Sequence, residues 1–263
     1  MNILEEIIEY KKVFLKGKNE EIGYKKLEAS VYFNKECLSL AKELNEEKTT
    51  GIITEFKRKS PSKGIINDKA RIEEVVKAYE ENGAAGISVL SDEKYFGGSN
   101  EDLIKTREII DIPLLRKDFI INEYQVVETK SIGADVILLI AACLTQKEVK
   151  GLARTAKNLG LEVLLELHNE KEIDHICDET ELIGINNRNL KTFEVDIERS
   201  IRMAEMIPAA KIKIAESGIS SADDVRLFRM SGFKGFLIGE NFMKENDPGK
   251  AFKEFVGGLK PHK

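Results

Sequence analysis

Gly51-Ile52-Ile53-Thr54-Glu55-Phe56-Lys57 is an apolar run that ends in a carboxylate and an amine two residues apart. A strand turns successive side chains to opposite faces, so Glu55 and Lys57 point the same way. The pattern recurs in Ile112-Pro113-Leu114-Leu115-Arg116-Lys117, in Glu162-Val163-Leu164-Leu165-Glu166 and in Lys211-Ile212-Lys213-Ile214-Ala215-Glu216. Charges at the C-terminal ends of several parallel strands are how a barrel enzyme assembles a site. Short β-rich runs of this kind fall near 51–57, 86–90, 112–116, 135–140, 162–167, 182–186, 211–215 and 235–239. The segments between them read as amphipathic helices. Asp68 to Asn82 sets Ile72, Val75, Val76 and Tyr79 on one face and stops at Gly83. Thr145 to Leu159 opens on a Thr-x-x-Glu capping box, and Ser221 to Met230 opens on Ser-x-x-Asp. Eight strand–helix units in about 210 residues predict an α/β fold, a (β/α)8 TIM barrel. A doubly wound open sheet would use fewer strands and a glycine-rich first turn, which this chain lacks.

The barrel is expected over residues 49–258, followed by a short tail, 259–263. Residues 1–48 precede the first strand and carry helical periodicity in Ile3, Leu4, Ile7 and Ile8, then Phe14 and Leu15. A second apolar set follows at Leu38, Leu40, Ala41 and Leu44. This is too little apolar surface to fold alone, so a helical extension packed on one barrel domain is expected.

Composition excludes several classes. With 42% apolar and 33% charged residues the chain is an ordinary globular protein, and its 41 Lys and Arg are dispersed. A net charge of −5 gives no reason to expect nucleic acid or an anionic membrane as partner. Cys37, Cys143 and Cys177 share no CxxC spacing and suit a reducing compartment. Glu5, Glu6, Glu9, Lys11 and Lys12 interrupt what would be the apolar core of a signal peptide. The longest apolar run, Val136 to Leu144, is far too short to span a bilayer. A cytoplasmic address is expected. With no exposed apolar stripe evident, so is a monomer.

The candidate chemistry sits just after the strands. Lys57-Arg58-Lys59-Ser60-Pro61-Ser62-Lys63-Gly64 offers four cations and two hydroxyls, which suit an anionic group. A solvated basic loop would look similar, but Glu55 on the barrel face is costly to bury without a purpose. Glu216-Ser217-Gly218-Ile219 and Ile238-Gly239-Glu240-Asn241 follow the seventh and eighth strands, where glycines and free N–H groups hold phosphate in such barrels. Either glycine alone could be a turn residue; the adjacent pair favours a phosphate site. Lys117 directly ends an apolar strand, and Asn186 ends the sixth. Phe96, Phe119 and Leu190 lie in the same loops and could pack in the core or wall an aromatic ring. His168 and His175 have no third ligand in a metal spacing, and His168 reads as a structural or loop residue.

Taken in order, the motifs resemble those of the indole-3-glycerol phosphate synthase family. They are Thr54-Glu55-Phe56-Lys57-Arg58-Lys59-Ser60-Pro61-Ser62-Lys63-Gly64, Glu93-Lys94-Tyr95-Phe96-Gly97-Gly98-Ser99 and Leu115-Arg116-Lys117-Asp118-Phe119-Ile120. Ile185-Asn186-Asn187-Arg188-Asn189-Leu190, Ala215-Glu216-Ser217-Gly218-Ile219 and Leu237-Ile238-Gly239-Glu240 complete the set. The resemblance implies ring closure, decarboxylation and dehydration of 1-(2-carboxyphenylamino)-1-deoxyribulose 5-phosphate, a small-molecule phosphosugar–anthranilate substrate, with no cofactor and no metal. By that resemblance Lys117 protonates the ketone oxygen, and Glu55 and Glu166 manage protons and orient Lys117. Lys57 contacts the substrate anions and is a candidate second acid. Asn186 and Glu216 hold hydroxyls or the reacting ring. Ser60, Ser217, Gly218, Gly239 and the backbone N–H of Glu240, together with Lys57, hold phosphate. Phe96, Phe119, Leu138, Leu190 and Leu237 wall the anthranilate ring, and Arg188 approaches its carboxylate. Three rivals remain at this level. A Schiff-base aldolase-type barrel also needs a strand-end lysine. A non-catalytic phosphosugar binder would not need Glu55, Lys117 and Glu166 together. Phosphoribosylanthranilate isomerase would place its acid–base pair differently and lacks the extension.

Overall fold

The structure, a computed structural model, describes residues 3–189 and 194–259. Eight parallel strands close into a barrel: β1 (Ile52–Phe56), β2 (Gly86–Leu90), β3 (Leu114–Lys117), β4 (Val136–Ile140), β5 (Glu162–Leu167), β6 (Leu182–Asn186), β7 (Ile212–Glu216) and β8 (Gly235–Ile238). Each strand pairs with the next in sequence, and β8 closes on β1 with Ile52 opposite Phe236 and Thr54 opposite Ile238. All eight lie where the apolar runs place them, to within two residues.

Alternation along the strands sorts the apolar residues into two cores. Ile53, Leu115, Val136, Leu138, Leu164, Leu182, Ile214 and Leu237 fill the barrel interior. Ile52, Ile87, Leu114, Ile137, Val163, Ile183, Ala215 and Phe236 face the surrounding helices. Glu55, Lys117, Glu166, Asn186 and Glu216 share the parity of the inner set. On these five of the eight strands the inward register therefore ends in a polar group.

The capping boxes form as read. Thr145 and Glu148 cap a helix over Gln146–Asn158, and Ser221 and Asp224 cap one over Ala222–Met230. Three features differ from expectation. The first crossover helix begins only at Ile72, because Asn67 Oδ1 accepts the N–H groups of Lys69 and Ala70 and holds that stretch in a turn. The basic loop after β1 folds into a small hairpin, Lys59–Ser60 against Gly64–Ile65. The connection from β5 to β6 is a 3-10 turn, Glu170–His175, and not an α-helix. There the Glu172 carboxylate accepts the backbone N–H of His168 at 2.6 Å and a side-chain N–H of Asn169, which ties the chain back to the end of β5.

The extension runs from the rim of the barrel to its base. Helix α1 (Ile3–Glu21) lies at the C-terminal rim, α2 (Tyr24–Glu28) packs beside the helix Glu123–Ser131, and α3 (Leu40–Asn45) closes the base. Leu40, Ala41 and Leu44 of α3 join the interior core. Gly86 and Gly235 leave room for them: a Cβ on either would come within 3.1 Å of the Leu40 or Leu44 side chain. The carboxylate of Glu162 accepts both the Ser39 hydroxyl and the Ala41 N–H, fixing the plug to β5. Among the described residues no helix is long and apolar enough to cross a membrane.

Candidate active site

The open, C-terminal end of the barrel holds a cavity of about 330 Å³. At its floor, Lys117 Nζ donates to Glu166 Oε2 at 2.9 Å and lies 3.7 Å from Glu216 Oε2. Asn186 Nδ2 donates to the other Glu166 oxygen at 3.0 Å. On the neighbouring arc, Lys57 Nζ is 2.6 Å from Glu55 Oε1. The three carboxylates are buried, whereas both lysine tips keep a share of exposure to the cavity. Two glycines make the crowding possible. A Cβ on Gly184 would sit 2.1 Å from Glu216 Oε1, and one on Gly239 would sit 2.5 Å from Glu55 Oε1.

These groups do not titrate as they would in water. Burial opposes the charge on Lys117, but Glu166, Glu216 and Glu55 outweigh it and raise its pKa above the usual lysine value. Burial likewise works against ionised Glu166, yet Lys117, His168 and Asn186 hold its pKa well below the ordinary carboxylate value. Glu216 goes the other way: burial and the neighbouring Glu166 charge push it up to about 8, against the pull of Lys117. Two carboxylates of one site thus share the burden of a single proton, and Glu216 is the one that holds it.

A second group of residues lines one side of the mouth. Ser217 adopts φ 66°, the left-handed region that costs a non-glycine residue energy, and Gly218 follows at φ 73°. Asn187, fully buried, imposes this turn by donating from Nδ2 to the Ser217 carbonyl at 2.6 Å. A side chain on Gly218 would strike Val195 Cγ1 at 2.4 Å. Opposite, Gly239 starts the short helix Glu240–Met243, whose first N–H groups have no partner within the helix. Ser60 lines the same cavity. The side chains of Arg188 and Lys63 lie 3.5 and 3.7 Å from the Glu240 carboxylate, so Glu240 offers more than its backbone.

The remaining wall is apolar. Phe96 and Phe119 pack with ring centroids 6.2 Å apart, and Leu138 and Leu237 lie below them. Leu190 falls outside the described residues. Every other residue named from the sequence as a site candidate lines this one cavity.

Sequence reading missed three contributions. Ile3, Leu4 and Ile7 of α1 also line the cavity. Helix α1 is held there by Lys11, whose buried ammonium lies 2.6 Å from Asp118 and 3.1 Å from Asp92. His168, read as a structural or loop residue, has its Nε2 2.9 Å from Glu166 Oε1, a contact the sequence did not indicate. Periodicity identified α1 as a helix but carries no information on where it docks. A charged residue among apolar ones, Lys11 beside Ile7, Ile8 and Leu15, is the one signal that could have marked a buried partner.

Known proteins agree with this geometry. The sequence profile of the indole-3-glycerol phosphate synthase family matches residues 4–255. An indole-3-glycerol phosphate synthase of Bacteroides thetaiotaomicron is 45% identical over 258 residues, covering 98% of this chain and 99% of that protein. The one from Polynucleobacter asymbioticus is 47% identical over 205 residues, 78% of this chain and 77% of its own. Among solved structures, thiamine phosphate pyrophosphorylase from Pyrococcus furiosus superposes with a TM-score of 0.60 at 17% identity, over 84% of this chain and 98% of its own. The tryptophan synthase α subunit of Legionella pneumophila gives 0.58 at 14%, over 84% and 96%. Likenesses this distant speak to the barrel alone. The family match from the extension through the eighth strand, and the relatives matched over almost their whole length, decide the rest: this chain belongs to the indole-3-glycerol phosphate synthase family.

Proposed function

We propose that two lysine–carboxylate pairs, Lys117 with Glu166 and Lys57 with Glu55, divide between them the proton transfers of the family reaction. As an indole-3-glycerol phosphate synthase the chain converts 1-(2-carboxyphenylamino)-1-deoxyribulose 5-phosphate to indole-3-glycerol phosphate, carbon dioxide and water. The reaction needs an acid twice. The ketone oxygen must take a proton as the ring carbon attacks, and the resulting hydroxyl must later leave as water while a base removes a proton. Lys117 is the acid of ring closure. Its 2.9 Å contact with Glu166 and 3.7 Å approach to Glu216, at the floor of the cavity, are the observation that carries the assignment. Lys57 and Glu55 serve the dehydration. Glu216, holding a proton that it can donate, binds a substrate hydroxyl beside Asn186. Ser217, Gly218, Gly239, Ser60 and the Glu240 N–H hold the phosphate, with Arg188 and Lys57 supplying positive charge at the mouth. Phe96, Phe119, Leu138 and Leu237 wall the aryl ring.

The direct test mixes purified protein with the carboxyphenylamino-deoxyribulose phosphate and follows indole fluorescence without added metal. A rise proportional to enzyme is expected, and substrate left intact would overturn the reading. A monomeric enzyme is part of the same proposal. Three free cysteines, Cys37, Cys143 and Cys177, support a reducing, cytoplasmic setting.

Two substitutions separate binding from chemistry. Ser217→Ala is expected to raise KM by about fivefold or more while kcat stays within about twofold, because phosphate is gripped alike in ground and transition states. Steady-state kinetics that show a pure kcat loss would remove Ser217 from the phosphate site. Gly184→Ala should do the reverse. The new methyl group must displace the Glu216 carboxylate, and misplacement of a reacting group by an ångström lowers kcat by about tenfold or more.

A further inference from the structure

Neither the family reaction nor the two acid–base pairs above use His168. Its ring is buried at the end of β5 and lies between two carboxylates: Nε2 is 2.9 Å from Glu166 Oε1, and Nδ1 is 3.7 Å from Glu172 Oε2. Neither contact is aligned as a hydrogen bond, so both are close approaches of a ring nitrogen to a carboxylate. A neutral imidazole has one N–H and one lone pair, so one of its nitrogens would turn a lone pair toward an acceptor-only carboxylate. Only the doubly protonated ring suits both neighbours. Glu172 is itself fixed by the His168 backbone N–H and by Asn169, so the ring is clamped from the 3-10 turn side. His175, on the same turn, spends its nitrogens near the Glu172 and Leu144 carbonyls and does not compete.

We propose that His168 is a positioning residue for the reaction, a buried imidazolium that holds Glu166 in place and weakens the grip of the carboxylate cluster on the Lys117 proton. The proposal rests on Lys117 being the acid of ring closure. Three carboxyl groups surround one ammonium, and those that are ionised make Lys117 a reluctant donor, since each negative charge raises the cost of losing its own. A second cation on the far side of Glu166 offsets part of that cost. It also leaves Glu166 with a counter-charge at the moment Lys117 becomes neutral, so the carboxylate does not simply take up the proton in place of the substrate. The groups facing the ring are Glu166 from β5 and Glu172 from the 3-10 turn, and the Cys143 thiol from the turn after β4 feels the charge of both. Lys117 and Glu216 lie one contact further on. Burial lowers the His168 pKa, but Glu166 and Glu172 overcome it and raise the value to about 9.

Two measurements test the proposal. The chain has three histidines, so their ring signals can be followed one by one in an NMR titration, with His168→Gln identifying the relevant peak. A His168 ring that titrates clearly above the ordinary histidine value is expected; an ordinary or lower value overturns the proposal whatever Lys117 does. The second measurement is kcat against pH. Wild-type kcat should fall as pH rises through the His168 pKa. Glu172→Gln removes a charge that raises this pKa and leaves the ring in place, so the alkaline limb should move to lower pH by about one unit. His168→Gln, which can still donate one hydrogen bond but carries no charge, should lower kcat about tenfold at neutral pH with KM within about twofold. A purely structural role would not move the limb. A limb unmoved in Glu172→Gln overturns the proposal even if His168→Gln fails to fold, and the Lys117→Ala measurement reports separately on the acid itself.

Discussion

Lys117→Ala is expected to lower kcat by at least about a hundredfold and to leave a cooperative thermal transition. A positioned general acid is typically worth about a hundredfold to ten-thousandfold in rate, and no other ammonium contacts Glu166 among the described ion pairs. Lys57, the nearest candidate to substitute, is engaged with Glu55 at 2.6 Å. The fold survives because the Lys117 tip faces the cavity and the apolar interior lies beneath it, in Leu115, Leu138, Leu164 and Leu237. What changes is the proton count. With the ammonium gone, Glu166 and Glu216 lose the cation that lowers both, and their folded pKa values rise. A carboxyl group whose folded pKa is raised favours folding while protonated, and that contribution is lost as pH climbs above the unfolded value. The stability difference between wild type and variant should therefore widen from about pH 5 to about pH 8. Melting curves at several pH values check this, and steady-state assays check the rate. A rate near wild type would remove Lys117 from the mechanism, and a constant stability gap would mean that the carboxylates are not coupled to it.

The barrel was legible because its evidence is local and repeated. On five of the eight strands the inward-facing register ends in a polar group, and a one-residue slip in β5 or β7 would have sent Glu166 or Glu216 to the helix side. The capping boxes at Thr145 and Ser221 were equally readable, since their atoms are within four residues of each other. What could not be read depends on contacts across the chain. Asn67 shortens the first crossover helix partly by reaching the Met243 carbonyl, which no nearby residue announces. The β5–β6 connection has charged and apolar residues in a spacing that a helix would also accept, and the Glu172 contact with the His168 N–H decides against one.

The site divides in the same way. Glu55, Lys117, Glu166, Asn186 and Glu216 were found because a charge or amide at the end of a buried strand is expensive and therefore informative. Asn187 was within a quoted motif, but its role in forcing the left-handed turn at Ser217 is visible only once β6 and β7 stand side by side. Lys11 is the clearest loss. Its partners Asp92 and Asp118 are more than eighty residues away, and Asp118 directly follows the proposed acid. The extension is thus tied to the strand of the proposed acid by a buried charge whose meaning the linear chain conceals.

Glu166→Ala is expected to lower kcat as severely, by at least about a hundredfold, for a different reason. Glu166 touches three functional side chains at once: Lys117 at 2.9 Å, Asn186 at 3.0 Å and His168 at 2.9 Å. Removing it frees Lys117 to swing toward Glu216, which lies 3.7 Å away, and away from the ketone. No charge is stranded in the process. Lys117 keeps Glu216 and Glu55, and His168, having lost its nearest carboxylate, can drop from about 9 toward its unperturbed 6.5 and shed its proton. The barrel should therefore remain folded, with a water-accessible gap where the carboxylate was. Measuring carbon dioxide and indole-3-glycerol phosphate separately shows which step has failed, because decarboxylation precedes the loss of water. If Glu166 acts by orienting Lys117, ring closure itself slows and both products fall together. If it serves the dehydration alone, carbon dioxide is released at near the wild-type rate for the first turnover while indole-3-glycerol phosphate lags. The 2.9 Å contact with Lys117 favours the first outcome, and a variant near the wild-type rate in both products would remove Glu166 from the chemistry altogether.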